Sequence, residues 1–314
     1  MLRYSLKRLF SLGISLVVAS LVIFAVIEIA PGDPAGFMLG LNAQPDTVAA
    51  LRAELGLDVP KIQRYLAWIG GMLTGDFGIS YTYRVPVGQM IADRMWVSLP
   101  LALLALTLST LIAIPVGLYA ANRRGEGGDI AVMGLTQLGI AVPNFWFAMI
   151  LVVIFAINLR WFSAGGFPGW DAGLFTGLKA LTLPAVALAL PQAAILSRVM
   201  RSALIDILTE DFIRTARAKG LPESIVLLRH ALKPSLIAVI TIIGVVFGYL
   251  MGGAVVIENV FSWNGIGRLA LEAVLRRDYP MIQGFILIFA TVIVLMSILM
   301  DLAYAWLDPR ITYD

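Results

Sequence analysis

The residues able to do chemistry are gathered in one place. The stretch 206–233 is a charged island between two long apolar runs, and it holds the one histidine of the chain, His230. It reads Asp211-Phe212-Ile213-Arg214-Thr215-Ala216-Arg217-Ala218-Lys219-Gly220-Leu221-Pro222-Glu223 and closes with Arg229-His230-Ala231-Leu232-Lys233-Pro234. These side chains can form ion pairs and hydrogen bonds with a soluble partner. Bond-making chemistry is not offered. With no Cys and a single His there is no thiolate or multi-His metal site, no Cys nucleophile and no catalytic-triad candidate. The five lysines, Lys7, Lys61, Lys179, Lys219 and Lys233, all lie outside any Gly-x-x-x-x-Gly-Lys-Ser/Thr loop, so ATP is not bound in that way. No cofactor is expected on this chain, and the energy for any work it does must come from elsewhere.

The rest of the chain has to position that island in a membrane. Of 314 residues, 60% are hydrophobic and 14% charged, where soluble proteins carry roughly a quarter charged. Six segments reach the ~20 apolar residues needed to cross a bilayer: 9–30, 95–121, 130–159, 180–204, 234–257 and 281–307. The expected fold class is therefore an all-α polytopic membrane protein with six transmembrane helices. The fourth segment is the weakest of the six, holding Pro184 and Pro191 and ending in Arg198 and Arg201. Pro143 is expected to kink the third. The first follows Arg3, Lys7 and Arg8 like a signal peptide. It is too long for one and ends in Glu28-Ile29-Ala30-Pro31, not in a small-x-small cleavage site. It reads as a retained helix.

Lys and Arg in short loops set the orientation. With the N-terminus inside, the cytoplasmic side gains Arg3, Lys7, Arg8, Arg123-Arg124, the island and Arg310. The opposite side has Arg160 and Lys179 in one loop and Arg268, Arg276 and Arg277 in another. Both termini are then cytoplasmic.

Segment 31–94 reads as a small helical cap on the outer surface. Val48, Leu51 and Leu55 have helical spacing, and Gly56 fits a stop. Asp58 and Pro60 suit a restart, after which Ile62, Tyr65, Leu66 and Ile69 continue one apolar face. Gly70-Gly71 and Gly75-Asp76-Phe77-Gly78 read as turns. Such a cap serves either as a lid on the helix bundle or as a contact surface for an external partner.

The island reads as helix, turn, helix. Phe212, Ile213 and Ala216 form a narrow apolar strip, and Gly220 fits the left-handed residue after a helix end. Pro222 and Glu223 suit a new first turn. The second helix is expected to reach about Leu232 and to stop before Pro234. His230, near its end, suits a helix-dipole partner or a packing residue rather than a coupling role. The plain alternative for the whole island is a basic loop resting on anionic headgroups. Ordered stop and restart signals, with apolar residues between the charges, favour a docking element.

At these residues the chain resembles the inner-membrane permease subunits of binding-protein-dependent ABC importers, in the dipeptide/oligopeptide/nickel branch, first-permease type. That superfamily carries a cytoplasmic Glu-Ala-Ala motif with a Gly six positions after the Glu. Here the stretch is Arg214-Thr215-Ala216-Arg217-Ala218-Lys219-Gly220, with Arg for Glu and Thr for the first Ala. Followed by Arg229-His230-Ala231-Leu232, this is the form of the peptide/nickel branch. Ala30-Pro31-Gly32-Asp33-Pro34, Glu54-Leu55-Gly56-Leu57-Asp58, Gly75-Asp76-Phe77-Gly78-Ile79-Ser80, Pro143-Asn144-Phe145-Trp146, Arg277-Asp278-Tyr279-Pro280 and Asp308-Pro309-Arg310 are also similar to it. Trp263-Asn264-Gly265-Ile266-Gly267 departs, the family usually having Pro before the first Gly.

The resemblance implies a type I importer transmembrane fold. It divides the chain into an N-terminal helix 1–30, an extracytoplasmic segment 31–94, a core 95–307 with coupling loop 206–233, and a tail 308–314. It implies Arg214, Thr215, Ala216, Arg217, Ala218, Lys219 and Gly220 as the ATPase contact, with Arg217 and Lys219 as polar anchors. It implies a homologous second permease, two ATP-binding subunits that use the ATP, an extracytoplasmic solute-binding protein and no nucleic acid. The location implied is the bacterial inner membrane, and the solute a peptide, a nickel chelate or a small glycoside. No substrate-contacting residue is identified. An ion-coupled secondary transporter would place ionisable residues within the membrane. The candidates, Glu28, Asp301 and Arg198, lie near helix ends. No inverted repeat is visible. A membrane scaffold without transport activity would not need helices interrupted by Gly and Pro.

Overall fold

The computed structural model describes residues 2–29, 32–40 and 43–307, with side chains from residue 10 onward. Ala30-Pro31, the tail with Asp308-Pro309-Arg310, and the side chains of Arg3, Lys7 and Arg8 lie outside that range. The described residues are helical apart from turns and one isolated bridge between Ile79 and Pro86. In chain order the helices are α1 Leu2–Ile29, α2 Pro34–Leu39, α3 Pro45–Glu54, α4 Lys61–Thr74, α5 Val87–Asn122, α6 Gly127–Ala141 and α7 Asn144–Leu151. There follow α8 Leu174–Leu208, α9 Asp211–Ala218, α10 Glu223–Ile225, α11 Leu232–Val260, α12 Ile266–Leu275 and α13 Tyr279–Leu307. The chain forms two compact units: Met1–Val97 with Asn264–Leu295, and Ser98–Trp263 with Met296–Asp314.

Five described helices are long and apolar enough to cross a membrane, and α6 with α7 makes a sixth if counted as one span. That pair is bent by 96°. The kink expected at Pro143 is therefore a full break. Val142 and Pro143 both take extended backbone, as the residue before a proline is driven to do. Beyond Leu151 the helix widens into a π segment, Val152–Asn158.

The fourth span, the weakest in hydropathy, is the most buried helix of its unit. Two-thirds of its apolar window is buried in the protein rather than facing lipid. Helix α8 runs unbroken through Pro184 and Pro191 and packs against α6, α7 and α11. Its buried face is rich in Ala, including Ala185, Ala187, Ala189, Ala193 and Ala194. Small residues let neighbouring helices approach closely, which is how helices associate in lipid. Low hydropathy here reports helix contact, not a missing span.

Within the first unit, α3 ends as expected, with Gly56 at φ +67°. Helix α4 departs from the sequence expectation in two ways. Gly70 and Gly71 lie inside it, and the stop is Gly75 at φ +83°. The apolar face also divides: Tyr65, Trp68 and Ile69 turn inward, while Ile62 and Leu66 are exposed. Tyr65 and Trp68 pack on Phe24 of α1, and the Tyr65 hydroxyl lies 2.9 Å from Ser20 Oγ. Above them Glu28 pairs with Arg64 at 2.7 Å and Lys61 at 3.4 Å. Helix α4 thus runs alongside the second half of α1, held at its start by one largely buried carboxylate, its side chain 12% exposed.

A second buried carboxylate organises the loop before α5. Asp278 is 1% exposed. It accepts hydrogen bonds from the Ser80 hydroxyl, from the backbone N–H groups of Tyr81 and Thr82 (3.1 Å each) and from Met281 N–H at the start of α13. Burial raises the Tyr81 hydroxyl pKa above its ordinary value. Asp278→Ala strands these donors and should lower stability by about 3 kcal/mol, since a buried group left without its partner costs ~1–3 kcal/mol. Thermal unfolding of the purified protein in mild detergent measures this, with Asp278→Asn expected to fall between the two.

Candidate functional site

The island folds as a hairpin between α8 and α11. Helix α9 starts after a tight turn in which Thr209 Oγ1 donates to Asp206 O at 2.7 Å. It ends in a left-handed cap. Gly220 has φ +76°, its N–H reaches Arg217 O at 2.9 Å, and Leu221 N–H reaches Ala216 O at 3.4 Å. This paired arrangement satisfies the last carbonyls of a helix. A Cβ at Gly220 would meet nothing within 4 Å, so the demand for Gly is conformational, not steric.

The return arm does not stop before Pro234 as expected. From Glu223 the helix widens into a π segment, Val226–Ala231, and continues as α11. A proline ring collides with the carbonyl four residues earlier in a regular helix. Pro234 lies in the first turn of α11, and the wide turn before it removes that collision. The hairpin and a membrane helix are therefore one continuous rod.

The interior of the hairpin is Ile213, Ala216, Val226, Leu227 and Ala231, all buried. Phe212, read with Ile213 and Ala216 as one strip, is 46% exposed instead, and Ile225 and Leu228 are exposed with it. Arg217 Nε donates to Glu223 Oε2 at 3.1 Å and Nη2 to Oε1 at 2.7 Å, a two-pronged pair that closes the turn. That hydrogen bonding holds Arg217 above its usual pKa. Arg214 makes a 3.3 Å contact with Asp211, both well exposed, which contributes little. Thr215 returns its hydroxyl to Asp211 O, Ala218 is exposed, and Lys219 is exposed with no carboxylate partner among the described residues. His230 is half-buried in the π segment. The seven residues 214–220 are thus brought together at the tip and outer edge, except Ala216, which faces inward.

The base of the hairpin holds a pair that sequence reasoning missed. Arg201, two turns before the end of α8, donates Nε to Asp129 Oδ1 and Nη2 to Asp129 Oδ2, each at 2.6 Å. Asp129 lies in the first turn of α6, is 3% exposed and also accepts from Gly125 N–H at 2.9 Å. One turn earlier, Arg198 Nη1 meets Gln137 Oε1 at 3.2 Å. Gly127-Gly128-Asp129 looks like a solvated loop; the signal was an acid opening the third span, Asp129, with two arginines ending the fourth. Glu258, also missed, is a buried carboxylate at the far end of α11 that accepts from Ser98 Oγ at 2.6 Å.

Residues 113–313 match the family profile described as binding-protein-dependent transport system inner membrane component, and residues 1–102 match its N-terminal companion. The chain is 40% identical over 310 residues to a putative peptide transport system permease protein of Brucella suis biovar 1 (strain 1330), covering 98% of each. It is 37% identical over 313 residues to the glutathione transport system permease protein GsiC of Salmonella choleraesuis (strain SC-B67), covering 100% of each. In fold it is similar to a chain of the MetNI methionine ABC transporter in an inward-facing form, with TM-score 0.55, 16% identity, and coverage of 70% of this chain and 97% of that one.

The Arg201–Asp129 pair makes a measurable demand. Arg201→Gln leaves Asp129 buried without its cation, and a loss of about 3 kcal/mol is expected. Asp129→Asn combined with Arg201→Gln should recover more than half of it, because no charge is then stranded. Thermal unfolding of the single and double variants checks both.

Proposed function

Since this chain belongs to the family of binding-protein-dependent transport system inner membrane components, we propose that it forms, with a homologous second permease, the translocation path of an ATP-driven peptide importer. The chain is a transport subunit, not an enzyme. ATP is hydrolysed in two partner ATPase subunits, and an extracytoplasmic binding protein delivers the solute. Relatives named for peptide and for glutathione transport, matched over the whole chain, support peptides as the solute class. Both termini lie in the cytoplasm of a bacterial inner-membrane protein, by the distribution of Lys and Arg.

The observation that carries the mechanism is the hairpin. Its buried Ile213, Val226 and Leu227 make it a small rigid body, while Phe212, Ile225 and Leu228 are left exposed among Arg214, Lys219 and Arg229. Exposed apolar side chains set among charges of both signs, with Asp211 and Glu223 beside the cations, suit a groove on a soluble protein better than a film of anionic headgroups, which would use the cations alone. In this reading Arg214, Thr215, Ala218 and Lys219 face the ATPase, Ala216 packs the hairpin, Gly220 sets its turn, and Arg217 braces it through Glu223. Closure of the ATPase dimer moves the hairpin. Helix α11, continuous with it, carries that motion into the membrane and switches the path between inward- and outward-facing forms.

Affinity purification of the tagged complex in mild detergent tests this. Wild type should retain the ATPase subunits. Gly220→Val, strained by its left-handed backbone, and Phe212→Glu with Leu228→Glu should lose most of them while the second permease stays bound. Failure of the ATPase subunits to co-purify with any form overturns the reading.

A further inference from the structure

Beside the break between α6 and α7 the second unit contains an open groove of about 620 Å³. Its walls are Ile112 of α5, Leu135 and Gly139 of α6, Trp146 of α7 and Pro191 and Ala194 of α8. Val142 and Trp146, on either side of Pro143, both line it, so the groove runs along the break. Two hydroxyls reach the wall, but both are spent on their own helices: Thr136 donates to Met133 O at 2.9 Å and Ser197 to Ala193 O at 2.6 Å. The lining is therefore hydrocarbon in effect.

Arg198 directly follows Ser197 of the wall and lies one turn beyond Ala194 on α8, toward the hairpin, and its partner Gln137 falls between Thr136 and Leu138 of the wall. It is exposed, and its hydrogen bond goes to Gln137 Oε1, a neutral acceptor. No carboxylate pairs with it among the described residues, whereas Arg201, one turn on, has Asp129. An arginine on a membrane helix calls for an anionic partner. A hydrocarbon slot ending at an uncompensated guanidinium has the chemistry of a receptor for an acidic amphiphile. A peptide in the slot would leave its backbone amides unpaired against the wall, which an acyl chain does not do. A helix from another subunit could fill the slot but would leave the cation unexplained.

We propose that this groove binds one acyl chain of an anionic phospholipid whose phosphate is held by Arg198. The site lies apart from the coupling hairpin and does not depend on which solute is carried. Phosphate suits it because guanidinium presents paired donors that match two phosphate oxygens. The lipid would hold the bent α6–α7 pair against α8 on the same side as the hairpin.

Trp146 provides the reporter. The intact transporter complex is placed in nanodiscs holding equal fractions of phosphatidylglycerol and phosphatidylcholine, with bromine on the acyl chains of one lipid or the other. Quenching of Trp146 is read as the difference between wild type and Trp146→Phe. Brominated phosphatidylglycerol is expected to quench about fivefold more effectively than brominated phosphatidylcholine, the ratio set by one arginine at an anionic headgroup. Arg198→Gln should make the two lipids equal. Gly139→Leu should reduce quenching by both, because a Cβ there stands at an ordinary 3.5 Å from Ala194 and the side chain has the groove to enter. Equal quenching by the two lipids in wild type would mean only a general lipid annulus and would overturn the proposal. Absence of quenching by either would mean that a protein partner or the solute path covers the groove, and would overturn it equally.

Discussion

A charge inside a bundle of apolar helices has to be matched, and the pairing of Arg201 with Asp129 is the match on which the hairpin end of this bundle depends. Two hydrogen bonds of 2.6 Å fix the start of α6 to α8 two turns before α8 ends. Together with Gly125 N–H they hold the α5–α6 turn closed. Helix α8 then serves as the axis of its unit. Its small residues admit α6, α7 and α11, and Gly117 of α5 meets it so closely that a Cβ would stand 2.7 Å from Met200 Cβ. The prolines that lower its hydropathy are tolerated because neighbouring helices surround it.

The departures from regular helix follow the same accounting of polar groups. Pro143 lacks the N–H that would continue α6, so the chain turns through 96° and restarts. Before Pro234 the chain takes the other course and widens into a π turn, keeping the helix unbroken. The two outcomes differ in consequence. A break leaves an open groove beside α8. A widened turn keeps α10 and α11 one rod.

The hairpin has separate residues for shape and for contact. Ile213, Val226 and Leu227 fill its inside, Gly220 fixes its turn and Arg217–Glu223 locks the two arms. What remains outside is apolar at Phe212, Ile225 and Leu228, with charges of both signs beside them, Asp211 and Glu223 as well as Arg214 and Arg229. In the first unit Glu28 and Asp278 do comparable work, each satisfying several donors from segments distant in sequence.

Much was legible in the order of residues: the helical, membrane-spanning class of this protein, the position of the island and the stop at Gly220. Those properties follow from hydropathy and from backbone preferences, which act locally and can be read over a window of residues. The tertiary structure alone decided the partners. It folded Arg217 back onto Glu223 and turned Phe212 outward, carried α4 through Gly70-Gly71, made the weakest span the most buried of the spans, and brought Asp129 to Arg201 across 72 residues of chain. A side chain's role in such a bundle depends on which helix lies beside it, and that neighbour is set by the packing of all the helices at once.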